Sequence, residues 1–166
     1  MNRLKSFLAA FLPLASASMP VSAVPPPPMA SIEGPGPLCG PGFAFVLDDD
    51  ESADQFDPNH WVVNGPGWSL GLRAIGSEEA ATIRDALRGR HSLGSTIVPG
   101  LGEVERHPVV EYPGNRQRGW AYWIPPAEGA DGYLLAASDQ FDGTGADHAR
   151  LLRLLVGEAR ATLCAS

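Results

Sequence analysis

The side chains with the clearest potential for acid–base chemistry are Asp139, Asp142 and His148, which lie close together late in the chain. Carboxylates and an imidazole beside the start of a helix could act as general acid and base, or could hold an anion or a metal ion. The alternative is structural: Thr144 or Asp147 caps the following helix, and Asp142 begins a turn. We favour the structural interpretation, because no nucleophile motif such as Gly-x-Ser-x-Gly accompanies the three catalytic candidates.

A second acidic segment spans positions 48–57, where six of the ten residues are aspartate or glutamate. Calcium is bound by several oxygen ligands, which clustered carboxylates on a loop can supply. The spacing does not match an EF-hand, however, and so many charges favour a solvated surface loop. The residues that remain as calcium-ligand candidates are Asp48, Asp49, Asp50 and Asp54.

The aromatic segment from Trp120 to Ile124 is a candidate for binding without catalysis. In a strand, Trp120, Tyr122 and Ile124 point to one face of the sheet, and Trp123 points to the other. If the second face is uncovered, Trp123 and the nearby Arg118 could contact a protein or carbohydrate partner. The alternative is that a loop or the N-terminal segment covers this face and buries Trp123.

The chain has two cysteines, Cys39 and Cys164, and they bracket nearly all of the sequence that has strand-like or helical patterns. In an oxidising compartment such a pair is expected to form a disulfide. We therefore predict a Cys39–Cys164 bond that ties the start of the domain to its end, with two separate buried thiols as the alternative. A zinc site is not expected, because there is no third cysteine and no close pair of histidines. No cofactor is predicted.

The first 23 residues have the three parts of a secretory signal peptide. Arg3 and Lys5 form the positive region, Phe7–Leu14 forms the apolar region, and small residues up to Ala23 form a cleavage site. Cleavage after Ala23 is preferred, and an earlier site after Ala17 is the alternative. We predict a periplasmic or secreted protein; the other interpretation is a cytosolic protein with an apolar N-terminus.

Loss of the leader would leave an acidic chain without lysine, since Lys5 is the only lysine. Two of the 12 basic residues would leave, so that 10 face 19 acidic ones and the net charge changes from −7 to −9. Such a chain is a poor candidate for binding nucleic acid or anionic membranes. No later segment is long and apolar enough to span a bilayer as a helix.

The rest of the chain divides into a Pro/Gly-rich linker, residues 24–37, and one globular domain, residues 38–166. The prolines predict an extended tether. Period-two patterns predict strands from 43 to 74 and a three-strand meander between 103 and 138. Helices are predicted over 77–89, with Ser77 as N-cap, and over 146–163. The expected fold is α+β: an antiparallel sheet with two helices packed on one face.

These patterns favour a small exported domain that is a non-catalytic binding or structural protein of the cell envelope. The alternative is a small secreted hydrolase that uses the Asp139–His148 cluster. The two interpretations differ in geometry, because a hydrolase requires those side chains to converge in a cleft within hydrogen-bond reach.

Overall fold

The computed structural model describes residues 27–88, 94–111, 116–126, 132–138 and 146–165. The strands in these ranges are β1 (Ala30–Glu33), β2 (Gly36–Gly40), β3 (Phe43–Leu47), β4 (Ser52–Asp57), β5 (His60–Gly65), β6 (Trp68–Ile75), β7 (Gly94–Val98), β8 (Gly102–Glu111), β9 (Arg116–Ile124), β10 (Tyr133–Ser138) and β11 (Leu154–Leu155). The helices are α1 (Ser77–Arg88), a 3₁₀ helix (Ala146–Arg153) and α2 (Gly157–Cys164).

Eight strands form one antiparallel sheet in the order β1-β4-β5-β6-β10-β9-β8-β7. Strands β4, β5 and β6 are successive neighbours, as are β7 to β10, and the two groups meet where β6 pairs with β10. The meander of β8, β9 and β10 agrees with the sequence prediction. A second, small antiparallel sheet has the order β11-β3-β2.

The small sheet packs on one face of the large sheet and forms the main core with it. Phe43, Phe45 and Leu47 of β3 are at most 1% exposed. They belong to one apolar cluster with residues of the large sheet such as Leu72 and Tyr122. The period-two pattern of β3 therefore has a direct physical cause, because alternate side chains point into the space between the sheets.

Helix α1 covers the opposite face of the large sheet. Tyr122 belongs to the main core, so its neighbour Trp123 points to the other face of β9. There Trp123 packs with Ile75 of β6 and Ala80 of α1 in a separate apolar cluster. The predicted division of the aromatic segment between two faces is confirmed.

The start of α1 lies close to the predicted position. Glu78 and Glu79 occupy the first turn, where the helix dipole favours negative charge. The Ala80 amide donates to the Gly76 carbonyl at 2.9 Å. The N-cap is therefore Gly76 and not Ser77, one residue before the predicted position.

Helix α2 packs elsewhere, against β2 and β3 of the small sheet, and none of its residues is buried. The prediction of antiparallel β-structure with helices is therefore correct, but the two helices do not share one face of one sheet. In the described part of the chain, no helix is long and apolar enough to cross a membrane.

The region from 146 to 163 is not the continuous helix that its leucine spacing predicted. After the 3₁₀ helix, Leu154 and Leu155 form β11 and pair with β3. Helix α2 begins only at Gly157, whose φ of +57° is left-handed. Leu154 is buried from β11 and Leu151 from the 3₁₀ helix, whereas Leu152 is exposed, so the leucines do not line one helix face. The left-handed glycine interrupts a continuous helix.

The predicted linker, residues 24–37, is partly structured. Strand β1 pairs with β4, with Ile32 opposite Ala53, and the first residues of β2 pair with β3. Its prolines and glycines predicted a free tether, but backbone pairing with distant segments overrides that local preference.

The predicted disulfide joins Cys39 of β2 to Cys164 at the end of α2, with the Cα atoms 5.9 Å apart. Arg160 attaches the same helix by a second route, since its Nε donates to the carbonyls of Gly40 at 3.1 Å and Phe43 at 3.2 Å. Helix α2 is therefore held mainly by a covalent bond and polar contacts, with no buried side chain of its own.

Candidate functional site

The predicted acid–base residues lie at the margin of what the structure describes. Asp139 and Asp142 lie outside the described residues. The backbone of His148 belongs to the 3₁₀ helix, but its side chain is also outside the described part. Their convergence in a cleft stays a prediction.

The acidic segment 48–57 is not a single loop, because β4 begins at Ser52. Asp54 of β4 accepts hydrogen bonds from Ser31 Oγ at 2.6 Å and Asn64 Nδ2 at 3.1 Å. Asp48 instead forms an ion pair with Arg153, with Nη1 and Oδ2 3.2 Å apart.

The four calcium candidates are therefore not gathered at one point. Asp49 and Asp50 lie exposed in the turn between β3 and β4, whereas Asp54 lies within β4. Within the described ranges, no group of three or more histidine, cysteine or acidic side chains could hold a metal ion.

The surface that was expected at Trp123 is not exposed. Trp123 is 2% exposed and lies against α1. Its ring meets the edge of Tyr133 with centroids 6.4 Å apart, and the Arg84 guanidinium lies 5.8 Å from its centroid. Trp123 is buried, as in the alternative interpretation, but the element that covers it is α1 and not a loop or the N-terminal segment.

Of the other two predicted binding residues, Trp120 does not share a face with Trp123. Trp120 points to the opposite face, where it is partly buried against the main core. The Arg106 guanidinium lies over the Trp120 ring, 4.2 Å from its centroid. Arg118 lies in β9, and its side chain is outside the described part.

A charged cluster that sequence reasoning missed lies between α1 and the large sheet. Arg84 donates to both carboxylate oxygens of Glu105, with Nε 3.2 Å from Oε1. His107 Nε2 lies 3.0 Å from the same Oε1, and it must be the donor because a carboxylate only accepts. Burial opposes ionisation of Glu105, but hydrogen bonds from Arg84 and His107 outweigh it and hold the pKa of Glu105 below its ordinary value of 4.5.

A histidine bonded to a carboxylate is the geometry of a general base, but this histidine is closed off. The His107 side chain is 1% exposed, and its Nδ1 has no hydrogen-bond partner among the described residues. A general base must reach the proton that it removes. We therefore interpret the Arg84–Glu105–His107 cluster as a link between α1 and β8.

An open cleft of about 460 Å³ lies on another part of the molecule, where six segments of the chain meet. The lining residues lie in turns and at the ends of strands and helices: Pro41, Gly42, Asn59, Ala74, Ile75, Gly76, Pro125, Pro126, Gly132, Tyr133, Val156, Gly157 and Arg160. Sites for small ligands commonly have volumes of about 300–1,000 Å³, so this cleft has a suitable size.

The walls of the cleft are mostly apolar and are conformationally restricted. Pro41, Pro125 and Pro126 have rings that fix their backbone. Gly132 has a φ of +96°, and a Cβ there would lie 2.4 Å from the Ile75 carbonyl oxygen. Only glycine fits this close approach of the chain to β6, which shapes one side of the cleft.

Arg160 is the cation of this cleft. Its Nε is bonded to two backbone carbonyls, whereas its terminal nitrogens have no partner among the described residues. The guanidinium is thus held in place by neutral groups, and no carboxylate within the described ranges pairs with it.

The chain matches no protein-family model, no curated protein and no solved structure. The cleft and the residues that form it are therefore the features that can indicate a function.

The sequence contains one signal that could have predicted part of this cleft. Arg160 precedes Cys164 by four residues, so the two share one face of a helix. A disulfide from Cys164 to Cys39 therefore brings Arg160 to the turn that follows β2. The remaining walls come from distant segments, and no local pattern could have assembled them.

Proposed function

We propose that the protein is an exported, non-catalytic binding protein of the cell envelope, and that the cleft beside α2 is its ligand site. The observation that carries the proposal is the cleft itself, with about 460 Å³ of space. Mostly apolar walls with a few positioned polar groups are typical of small-molecule sites. Arg160 and Asn59 are the polar groups here.

The proposal of export is supported by two independent features. The first 23 residues have the order of charge, apolar run and small residues that a signal peptide requires. The Cys39–Cys164 bond fits the same compartment, because disulfides persist in oxidising environments.

The attachment of α2 supports binding by a largely preformed site. Val156, Gly157 and Arg160 line one side of the cleft, and the disulfide and the Arg160 hydrogen bonds fix that side to β2 and β3. A site that is ordered before binding loses little conformational entropy when a ligand enters.

We expect the cleft to bind a neutral apolar probe, and we expect a side chain at Gly76 to block it. Gly76 lines the cleft, and a Cβ there would meet nothing within 4 Å, so Gly76→Phe adds a bulky group at the cleft without a clash at its Cβ. The measurement is fluorescence titration with N-phenyl-1-naphthylamine. Wild type should bind one probe, and Gly76→Phe should bind about tenfold more weakly, equivalent to roughly 1.4 kcal/mol of lost burial.

The matched control is Gly76→Ser, which adds few atoms and keeps a good N-cap for α1. It should bind the probe as wild type does. Thermal unfolding of all three proteins shows whether each is folded. The proposal fails if wild type binds no probe, or if folded Gly76→Phe binds as tightly as wild type.

A further inference from the structure

We propose that the cleft selects small apolar carboxylates and that Arg160 binds the carboxylate group. This inference rests on the proposed function, because it names the ligand class of the same cleft. It is carried by the position of Arg160, by its hydrogen bonds, and by the absence of a carboxylate partner for it among the described residues.

Arg160 differs from two other arginines, each of which has its guanidinium group held in place by a carboxylate. Arg84 is paired with Glu105, and Arg153 is paired with Glu51. Arg160 bonds only to backbone carbonyls, and no carboxylate in the described ranges lies within ion-pair distance of it.

The hydrogen bonds of Nε leave the carboxylate-binding part of the side chain unused. A guanidinium presents its donors as a planar fork that matches the two oxygens of a carboxylate. Because Nε is held by Gly40 and Phe43, the fork is oriented before a ligand arrives. The chain as a whole is acidic, with a net charge of −7, yet no carboxylate in the part of the chain that the structure describes pairs with this cation.

The first turn of α2 does not determine the sign of the ligand charge. Its N-cap, Val156, makes no side-chain hydrogen bond to the helix, and both Val156 and Gly157 line the cleft. The amide groups at a helix start carry partial positive charge. Glu158 in the same turn carries a full negative charge, so the preference for an anion depends on Arg160.

The apolar walls of the cleft determine what kind of group the carboxylate of the ligand is attached to. Tyr133, Ile75 and the two prolines Pro125 and Pro126 offer apolar surface. A ligand that fits both parts has an aromatic or aliphatic body next to its carboxylate. Two sources share this chemistry: a free acid, and the C-terminal residue of a peptide.

The test compares an acid with its neutral amide by calorimetric titration, with N-acetylphenylalanine and N-acetylphenylalaninamide as probes. Wild type should bind the acid about tenfold more tightly, since a charge-assisted hydrogen bond is lost in the amide. Arg160→Gln should bind both probes with the weak affinity of the amide. Arg73→Gln removes the same charge outside the cleft lining and should keep the preference for the acid.

The outcomes separate this inference from the proposed function. Equal affinity of wild type for acid and amide, with both blocked by Gly76→Phe, would overturn the carboxylate inference and leave the binding function intact. The carboxylate inference would also be overturned if Arg160→Gln still bound the acid more tightly than the amide. The comparison within wild type does not depend on whether the variant folds.

A third probe, 3-phenylpropionate, distinguishes the two sources. Tighter binding of 3-phenylpropionate than of N-acetylphenylalanine assigns the site to free acids. The reverse order assigns it to peptide C-termini. Both orders support Arg160 as the carboxylate-binding residue, whereas failure of both acids to bind contradicts it.

Discussion

Glu51 and Arg153 form the ion pair that joins the 3₁₀ helix to the segment before β4. The guanidinium donates to both oxygens of the carboxylate, with Nη1–Oε1 2.7 Å and Nη2–Oε2 2.6 Å. Glu51 is 5% exposed and also accepts a hydrogen bond from the Asp48 amide at 2.9 Å. Removing one partner of this buried ion pair would leave the other charge unpaired, which costs folding free energy.

Glu51 should therefore make the protein sensitive to acid. Hydrogen bonds from Arg153, opposed by burial, hold the pKa of Glu51 below its ordinary value of 4.5. A carboxyl whose pKa is lower in the folded state stabilises the fold above its unfolded-state pKa. That stabilisation is lost as the pH falls from about 4.5 through the lower folded-state pKa.

We expect Glu51→Gln to lower the free energy of unfolding by about 2 kcal/mol at pH 7 and to flatten its decline below pH 4.5. The measurement is urea unfolding at a series of pH values. Asp49→Asn, at an exposed neighbouring position, is the control and should follow wild type. The same pH dependence in wild type and Glu51→Gln would show that this ion pair does not control acid stability.

At the residue scale, the sequence predicted which side chains share a face but not which face is covered. The alternation in β9 correctly separated Tyr122 from Trp123. Burial of Trp123 depends on α1, a separate element whose position no local pattern gives. The Glu51–Arg153 pair was missed for a similar reason, since 102 positions separate its members.

Among the elements, α2 depends most on a single covalent bond. It has eight residues, none of them buried, and an isolated helix of that length is marginal in water. The Cys39–Cys164 bond closes a loop with a sequence separation of 125. Because such a loop lowers the entropy of the unfolded chain, the bond is expected to stabilise the folded state by about 5 kcal/mol.

We expect reduction of the disulfide to release α2 while the large sheet stays folded. Amide hydrogen exchange, followed by mass spectrometry, should become much faster in Gly157–Cys164, and protection in β5 and β6 should persist. Binding of N-phenyl-1-naphthylamine should weaken at the same time, because α2 lines the cleft. Unchanged protection of α2 after complete reduction would show that its non-covalent contacts hold it without the disulfide.

At the scale of elements, sequence reasoning succeeded where local signals agreed. Acidic residues in the first turn and an inward apolar stripe both indicated α1. The C-terminal region had the apolar spacing of a helix, but Gly157 and the open edge of β3 favoured a different structure. The pairing of the Pro/Gly-rich segment that contains β1 was not predicted, because its partner, β4, is distant in the sequence.

The whole molecule is a pair of packed antiparallel sheets whose last helix is tied back to an early strand. Turns and element ends from both sheets meet beside that tie, and the cleft lies between them. The sequence predicted the tie and the antiparallel strands. It could not predict the cleft, because its walls come from six separate segments.

The proposed binding site requires above all an exported chain closed by the Cys39–Cys164 bond. The most direct measurement is the intact mass of the protein recovered from outside the cytoplasm, before and after reduction. We predict a chain that begins at Val24 and gains the mass of two hydrogens when it is reduced. A full-length chain with two free thiols would contradict both the proposed compartment and the attachment of α2 on which the proposed binding site depends.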